Sequence, residues 1–111
     1  MDIQNLENEI NLLHERICCA LGDSTRILIL YLLSENELYV NQIAEEMDAP
    51  QSTVSRHLRV LRDSNLVTAQ RHGTSVRYRV ADHRIIDVLD QMRKILNDQI
   101  QANAALTSTT D

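Results

Sequence analysis

Gln51-Ser52-Thr53-Val54-Ser55-Arg56-His57-Leu58-Arg59-Val60-Leu61 is the stretch whose side chains are best suited to chemistry. At 100° per residue, Val54, Leu58 and Leu61 fall on one stripe, as a buried helix face requires. The remaining faces carry Gln51, Ser52, Ser55, Arg56 and Arg59, which are short hydrogen-bonding groups and guanidinia. A merely solvated helix usually mixes Glu with Lys one turn apart. Amides, hydroxyls and guanidinia are instead the groups that pair with phosphates and base edges. The stretch is therefore read as a helix that meets double-stranded DNA. By spacing, Gln51, Ser52, Ser55 and Arg56 are the candidates for base edges, and an arginine on a guanine edge is the most specific contact of that kind. Thr53, Arg59, Arg71, Arg77 and Arg79 are candidates for phosphate or minor-groove contacts. His57, beside Leu58, is open to either a structural or a phosphate-binding role.

Charge distribution supports that assignment. The chain of 111 residues carries a net charge of −5, which disfavours nucleic acid until it is mapped. Residues 50–81 hold six arginines against the single acid Asp63, while the rest of the chain holds five basic and fifteen acidic residues. One basic region on an acidic body is the pattern of a localised polyanion-binding face. The sequence shows no Ser/His/Asp constellation, no paired-carboxylate site and no phosphate-cradling glycine loop, so it is not read as an enzyme. Asp87 and Asp90 are read as solvated acids.

The elements that must position these residues follow from periodicity. Ile3, Leu6, Ile10, Leu13, Ile17 and Ala20 alternate at spacings of three and four, a narrow heptad seam suited to a partner helix. Gly22 is placed to end that helix in the left-handed conformation. Asp23-Ser24-Thr25 offers capping oxygens for a second, strongly apolar helix from Thr25 to about Ser34. Leu38-Tyr39-Val40 is a short extended piece, and Asn41 caps a third helix from Gln42 to Met47. Asp48-Ala49-Pro50 breaks the pattern before the polar-faced helix, giving a helix-turn-helix. The period then changes to two over residues 66–71 and 75–80, a hairpin around His72-Gly73-Thr74 with Arg77 and Arg79 on one face. Asp82 caps a last helix from about His83 to Ala102, striped with Ile85, Val88, Leu89, Met92, Ile95, Leu96 and Ile100.

The expected fold is mainly α with a small β-hairpin (α+β), a winged helix-turn-helix in the order α-α-α-α-β-β-α. Residues 1–103 are read as one domain whose first and last helices dimerise, and residues 104–111 as a disordered polar tail. The N-terminus does not read as a signal peptide, and no run approaches a membrane span, so a cytoplasmic protein without membrane contact is expected. Adjacent Cys18 and Cys19 cannot frame a disulfide scaffold, which fits a reducing compartment.

With these elements in place, the sequence resembles the ArsR/SmtB family of small dimeric winged-helix repressors. The resemblance rests on Ala20-Leu21-Gly22-Asp23-Ser24-Thr25-Arg26-Ile27-Leu28-Ile29-Leu30 at the opening of the second helix, on Gln51–Leu58, and on Val76-Arg77-Tyr78-Arg79-Val80 in the wing. It covers roughly residues 10–100. It implies a homodimeric repressor on an inverted-repeat operator, with the first and last helices as the interface and release by an inducer. The family's metal sites are not matched. Glu37-Leu38-Tyr39-Val40-Asn41 stands where the third-helix thiolate site has Cys-Val-Cys after Glu-Leu. Asp82, Arg84, Ile95 and Asp98 stand in the register of the last-helix zinc or cobalt ligands, and neither arginine nor isoleucine ligates zinc.

The remaining soft ligands are His14, Cys18 and Cys19, with His14 and Cys18 one turn apart. Three roles stand open for them: plain packing, thiol oxidation or persulfide sensing, and binding of a metalloid or soft metal ion at Cys18/Cys19. The inducer itself is unspecified. Two other functions remain as alternatives: a ligand-independent winged-helix regulator without an inducer site, and a protein–protein interaction module whose arginine face meets an acidic partner.

Overall fold

The computed structural model describes the backbone of residues 1–109 and the side chains of residues 1–104. Helix α1 runs Ile3–Leu13, α2 Ser24–Glu35, α3 Val40–Met47, α4 Gln51–Asp63 and α5 Arg84–Thr109. Strands β1 (Leu38–Tyr39), β2 (Val67–His72) and β3 (Ser75–Val80) form one antiparallel sheet in the order β1-β3-β2. The expected winged helix-turn-helix is present, with the extended piece at Leu38 and Tyr39 recruited as a third strand. It pairs Leu38 with Tyr78 and Tyr39 with Arg77.

The core forms where the apolar stripes converge. Ile29, Leu30 and Leu33 of α2, Ile43 and Ala44 of α3, and Val54, Leu58 and Leu61 of α4 pack with Leu66, Val67, Val80 and Leu89. Val54, Leu58 and Leu61 are 0% exposed, so the α4 stripe is fully removed from water. Burying each such side chain stabilises the fold by about 1.5–3 kcal/mol, and this is what fixes α4 rotationally. Hairpin register from Val67↔Val80 to His72↔Ser75 leaves a two-residue turn, Gly73-Thr74. Gly73 sits at φ 64°, the positive value that a primed turn demands and that matches the twist of the strands.

Several expectations are corrected. The first helix is not continuous to residue 21. After Leu13 the chain widens into a π-helical turn, His14–Cys18, where the Cys19 N–H donates to the His14 carbonyl at 2.9 Å, and then tightens into a 3-10 turn, Ala20–Gly22. Such a bulge absorbs one extra residue, so His14 is bridged to Cys19 rather than stacked over Cys18. Gly22 is not left-handed: the Gly22 N–H closes the 3-10 turn on the Cys19 carbonyl, and Asp23 leaves extended at φ −124°. Asn41 does not cap α3. Tyr39 holds the N-cap position, and its N–H donates to Gln42 Oε1 at 2.9 Å. Asp48 supplies the left-handed residue that ends α3, with φ 50°.

Asp90 is not merely solvated. It accepts a 2.7 Å hydrogen bond from the Tyr31 hydroxyl, and the Arg93 guanidinium lies 5.1 Å from the centre of the Tyr31 ring. Burial and the bond to Asp90 together push the Tyr31 phenol up from its ordinary value. Helix α5 continues to Thr109 rather than stopping at Ala102. No Gly or Pro follows Gly73, and Ala104-Ala105-Leu106 are strong helix formers, so nothing in the backbone halts it. The polar-tail expectation is thus replaced by helix over 104–109, and for 110–111 it lies outside the described residues.

Candidate nucleic-acid interface

Helix α4 presents three rows around its buried stripe. Opposite the core, Ser52, Arg56 and Arg59 recur at i, i+4 and i+7, and all three are exposed. On the edge toward the wing, exposed Gln51 and Ser55 line a cleft of about 430 Å³ with Tyr39, Asn41, Thr74, Val76 and Tyr78. On the edge toward α2, Thr53 and His57 are half-buried. The helix begins at Pro50, whose carbonyl accepts from the Thr53 and Val54 N–H groups at 3.1 and 3.2 Å, and no side chain caps the first turn. A helix start without a capping carboxylate leaves its positive dipole end open to an anion.

The wing arginines differ from one another. Arg71 is exposed beside the hairpin tip. Arg79 is exposed, and its Nε donates across the ladder to Thr68 Oγ1 at 3.0 Å. Arg77 is half-buried, and its Nε lies 3.0 Å from Glu37 Oε2 in an ion pair created by the β1–β3 pairing. The ten residues singled out for DNA are therefore gathered on α4 and the hairpin, with Arg77 already partnered and His57 turned toward α2.

Two residues escaped the sequence reading. Glu37 precedes β1, and only the fold brings it to Arg77. Arg26 lies in the first turn of α2, where its Nε donates to the Ala20 carbonyl at 2.6 Å, Nη2 to the Cys19 carbonyl at 3.2 Å and Nη1 to His57 Nδ1 at 3.3 Å. The backbone N–H of Thr25, helped by the Arg26 charge, holds the neighbouring Asp23 carboxyl below its usual range. A signal for Arg26 did exist: a cation in the first turn of a helix opposes the helix dipole and needs another reason to be there.

The soft-ligand candidates do not assemble a metal site within one chain. Cys18 and Cys19 are exposed free thiols, His14 is exposed, and no group of three His, Cys, Asp or Glu residues that could hold an ion occurs among the described residues. Nor, among them, is any helix long and apolar enough to cross a membrane.

A helix-turn-helix followed by a β-hairpin, with polar and basic side chains on the exposed face of its second helix, defines a winged-helix DNA-binding protein. Residues 23–69 match the family described as bacterial regulatory protein, arsR family. An HTH-type transcriptional regulator of Methanocaldococcus jannaschii is 39% identical over 71 residues, which cover 63% of this chain and 80% of that one. The arsenical resistance operon repressor of Escherichia coli K12 is 35% identical over 86 residues, 74% of each chain. The chain spans only 50% and 52% of the lengths of two further relatives, KmtR and SmtB of Mycobacterium tuberculosis. Among solved structures, the homodimeric winged helix-turn-helix DNA-binding domain Mb0332 of Mycobacterium bovis superposes with a TM-score of 0.73 at 27% identity, covering 83% of this chain and 84% of that one. The chain belongs to the ArsR family of transcriptional regulators, a family of regulators rather than enzymes.

Proposed function

We propose that the protein is a cytoplasmic homodimeric repressor that binds an inverted-repeat operator through α4 and the wing. The observation that carries this reading is the outward row of Ser52, Arg56 and Arg59 on a helix locked by a fully buried stripe, within the only basic region of an acidic chain. Gln51, Ser52, Ser55 and Arg56 read base edges. Thr53, Arg59, Arg71 and Arg79 fix register on the phosphates, and Arg77 joins them when released from Glu37. Homodimerisation is supported by the exposed apolar rows of α1 and α5 and by the homodimeric Mycobacterium bovis neighbour. The test is fluorescence anisotropy with duplex from upstream of the protein's own gene and a scrambled duplex. Tighter binding to the former, with affinity falling steeply as salt rises, is expected. Equal affinity for both would sink sequence-specific binding and favour the interaction-module alternative.

Release is assigned to thiol chemistry at Cys18 and Cys19, because both thiols are exposed where the π-helical turn meets the 3-10 turn, and Arg26 links the Cys19 carbonyl to His57 of α4. Metalloid binding there draws ligands from a second chain, since no group of three such ligands occurs among the described residues of one chain. Arsenite, antimonite, polysulfide and peroxide are added to the DNA complex of wild type and of the Cys18→Ser/Cys19→Ser variant. Dissociation in the wild type alone supports the assignment, and an identical response in both overturns it.

A further inference from the structure

Arg26 makes an unusual set of contacts for a residue in the first turn of an apolar helix. Its guanidinium spans two carbonyls at the start of the 3-10 turn, those of Cys19 and Ala20, and reaches His57 on α4. Guanidinium has five N–H donors and no acceptor, and it stays charged at all pH values relevant to folding. The 3.3 Å contact with His57 therefore has a fixed sense: Nη1 donates and Nδ1 must accept. A neutral imidazole carries one proton, so an Nδ1 that accepts leaves that proton on Nε2. No partner for Nε2 occurs among the described residues. His57 shares its edge of α4 with Thr53, one turn earlier and equally half-buried, alongside the row of Ser52, Arg56 and Arg59.

We propose that Arg26 is a positioning residue for DNA binding, which locks His57 in its Nε2–H form so that the ring gives one neutral donor to a backbone phosphate at the α2 edge of α4. The inference rests on the reading of α4 as the helix set against duplex DNA, and it deepens that reading by giving His57 a single role and Arg26 a share in it. Asp23 completes the cluster: its carboxylate lies 4.0 Å from Arg26 Nη1 and balances the guanidinium charge, and the Thr25 N–H holds it in place at 2.8 Å. Two consequences follow from a neutral donor. It contacts phosphate without displacing a counterion, so it adds affinity without steepening salt dependence. It also carries no sequence information, so it acts alike on operator and random DNA.

The test uses the full chain labelled with ¹⁵N at mildly alkaline pH. Two-bond ¹H–¹⁵N correlation spectra show which ring nitrogen of His57 carries the proton, with His57→Ala supplying the assignment. Wild type should show a protonated Nε2 and a bare Nδ1. Arg26→Ala and Arg26→Lys should show mixed tautomers, since an ammonium keeps the charge but cannot span both carbonyls and the ring at once. His57→Ala should lower affinity for upstream and scrambled duplex alike by about tenfold, the value of one hydrogen bond to a charged group, with the salt slope unchanged. Arg26→Lys should lose about twofold on both duplexes when half of the molecules hold the other tautomer.

A proton on Nδ1 in the wild type overturns the proposal. So does a salt slope reduced by about one in His57→Ala, the mark of a charged imidazolium contact, and so does unchanged affinity in that variant. Should Arg26→Ala fail to fold, the wild-type spectrum and the His57→Ala titration still decide the matter. A wild type that binds neither duplex overturns the DNA-binding reading together with the phosphate contact, while the spectrum still judges the Arg26–His57 lock separately.

Discussion

Arg77 shows how a residue's type and its partner can pull in different directions. Its position on the wing suits a phosphate, yet Glu37 holds its Nε at 3.0 Å. Duplex DNA must therefore compete with a carboxylate for this arginine, whereas Arg56 is exposed and has no ion-pair partner among the described residues. Glu37→Gln should raise affinity for operator and scrambled DNA together, by about threefold, with a steeper salt slope as one more arginine engages phosphate. A decrease, or an unchanged slope, would show that Arg77 stays in the sheet. Arg56→Ala should cost about 1–3 kcal/mol on operator DNA and flatten the preference over scrambled sequence, measured by anisotropy. Equal losses on both would reassign Arg56 to the phosphates. Asp82 offers a test of a different kind. Hydrogen bonds from the Arg84 side chain, then from its backbone N–H at the start of α5, lower this carboxyl to about 2. A folded value below the ordinary 3.8 means that the contribution is present above about pH 4 and lost as pH falls through about 2. Thermal melts of Asp82→Asn, which keeps a capping side chain, should lie below wild type near neutrality and converge with it at about pH 2.

At the scale of elements, the two glycines make opposite predictions. Gly73 holds a positive φ in the two-residue hairpin turn, so Gly73→Ala should destabilise by about 1 kcal/mol, read as a lower urea midpoint, and loosen the wing. Gly22 has no positive φ, and open space surrounds the position of an added Cβ, so Gly22→Ala should stabilise by about 0.4–1 kcal/mol through the unfolded chain, read as a higher urea midpoint. A loss there would mean that the 3-10 turn needs glycine after all. Glycine is common after helices, which is why Gly22 reads from sequence as a left-handed stop, but the 3-10 turn had already closed the helix. Helix α4 and the hairpin were legible because Val54, Leu58 and Leu61 repeat at the helical period and Val76, Tyr78 and Val80 at the strand period. The π turn at His14–Cys18 was not, since one extra residue in a helix leaves no periodic mark in an exposed stretch. Contacts between distant segments were equally hidden. Glu37 with Arg77, Arg26 with His57 and Tyr31 with Asp90 are pairings that depend on how the elements dock, and local patterning carries no record of docking.

At the scale of the whole molecule, most of the exposed large apolar side chains belong to the first and last helices. Ile3, Ile10 and Leu13 on α1 are 47–70% exposed, and Val88, Met92, Ile95, Leu96 and Ile100 on α5 are 46–57% exposed. Neither helix buries these rows in its own chain, and each recurs at the spacing of a helix seam. An exposed apolar surface of that kind has the character of an interface rather than of a solvated face. If a second copy covers it, two α4 helices are fixed relative to one another, and binding at one half-site makes binding at the other effectively intramolecular. Coupling of this type is worth about 10²- to 10⁴-fold in affinity without any new DNA contact. The double variant Met92→Glu/Ile95→Glu places two like charges in that row at positions already open to water, so the helical circular dichroism should persist. Sedimentation equilibrium should then show a monomer. Affinity for a full inverted repeat should fall by about two orders of magnitude or more, while affinity for a lone half-site stays near that of wild type. A variant that remains dimeric would move the interface away from the centre of α5. A monomer that still binds the full repeat as tightly as wild type would mean that each chain reads its DNA alone, and that the exposed rows serve some partner other than a second copy.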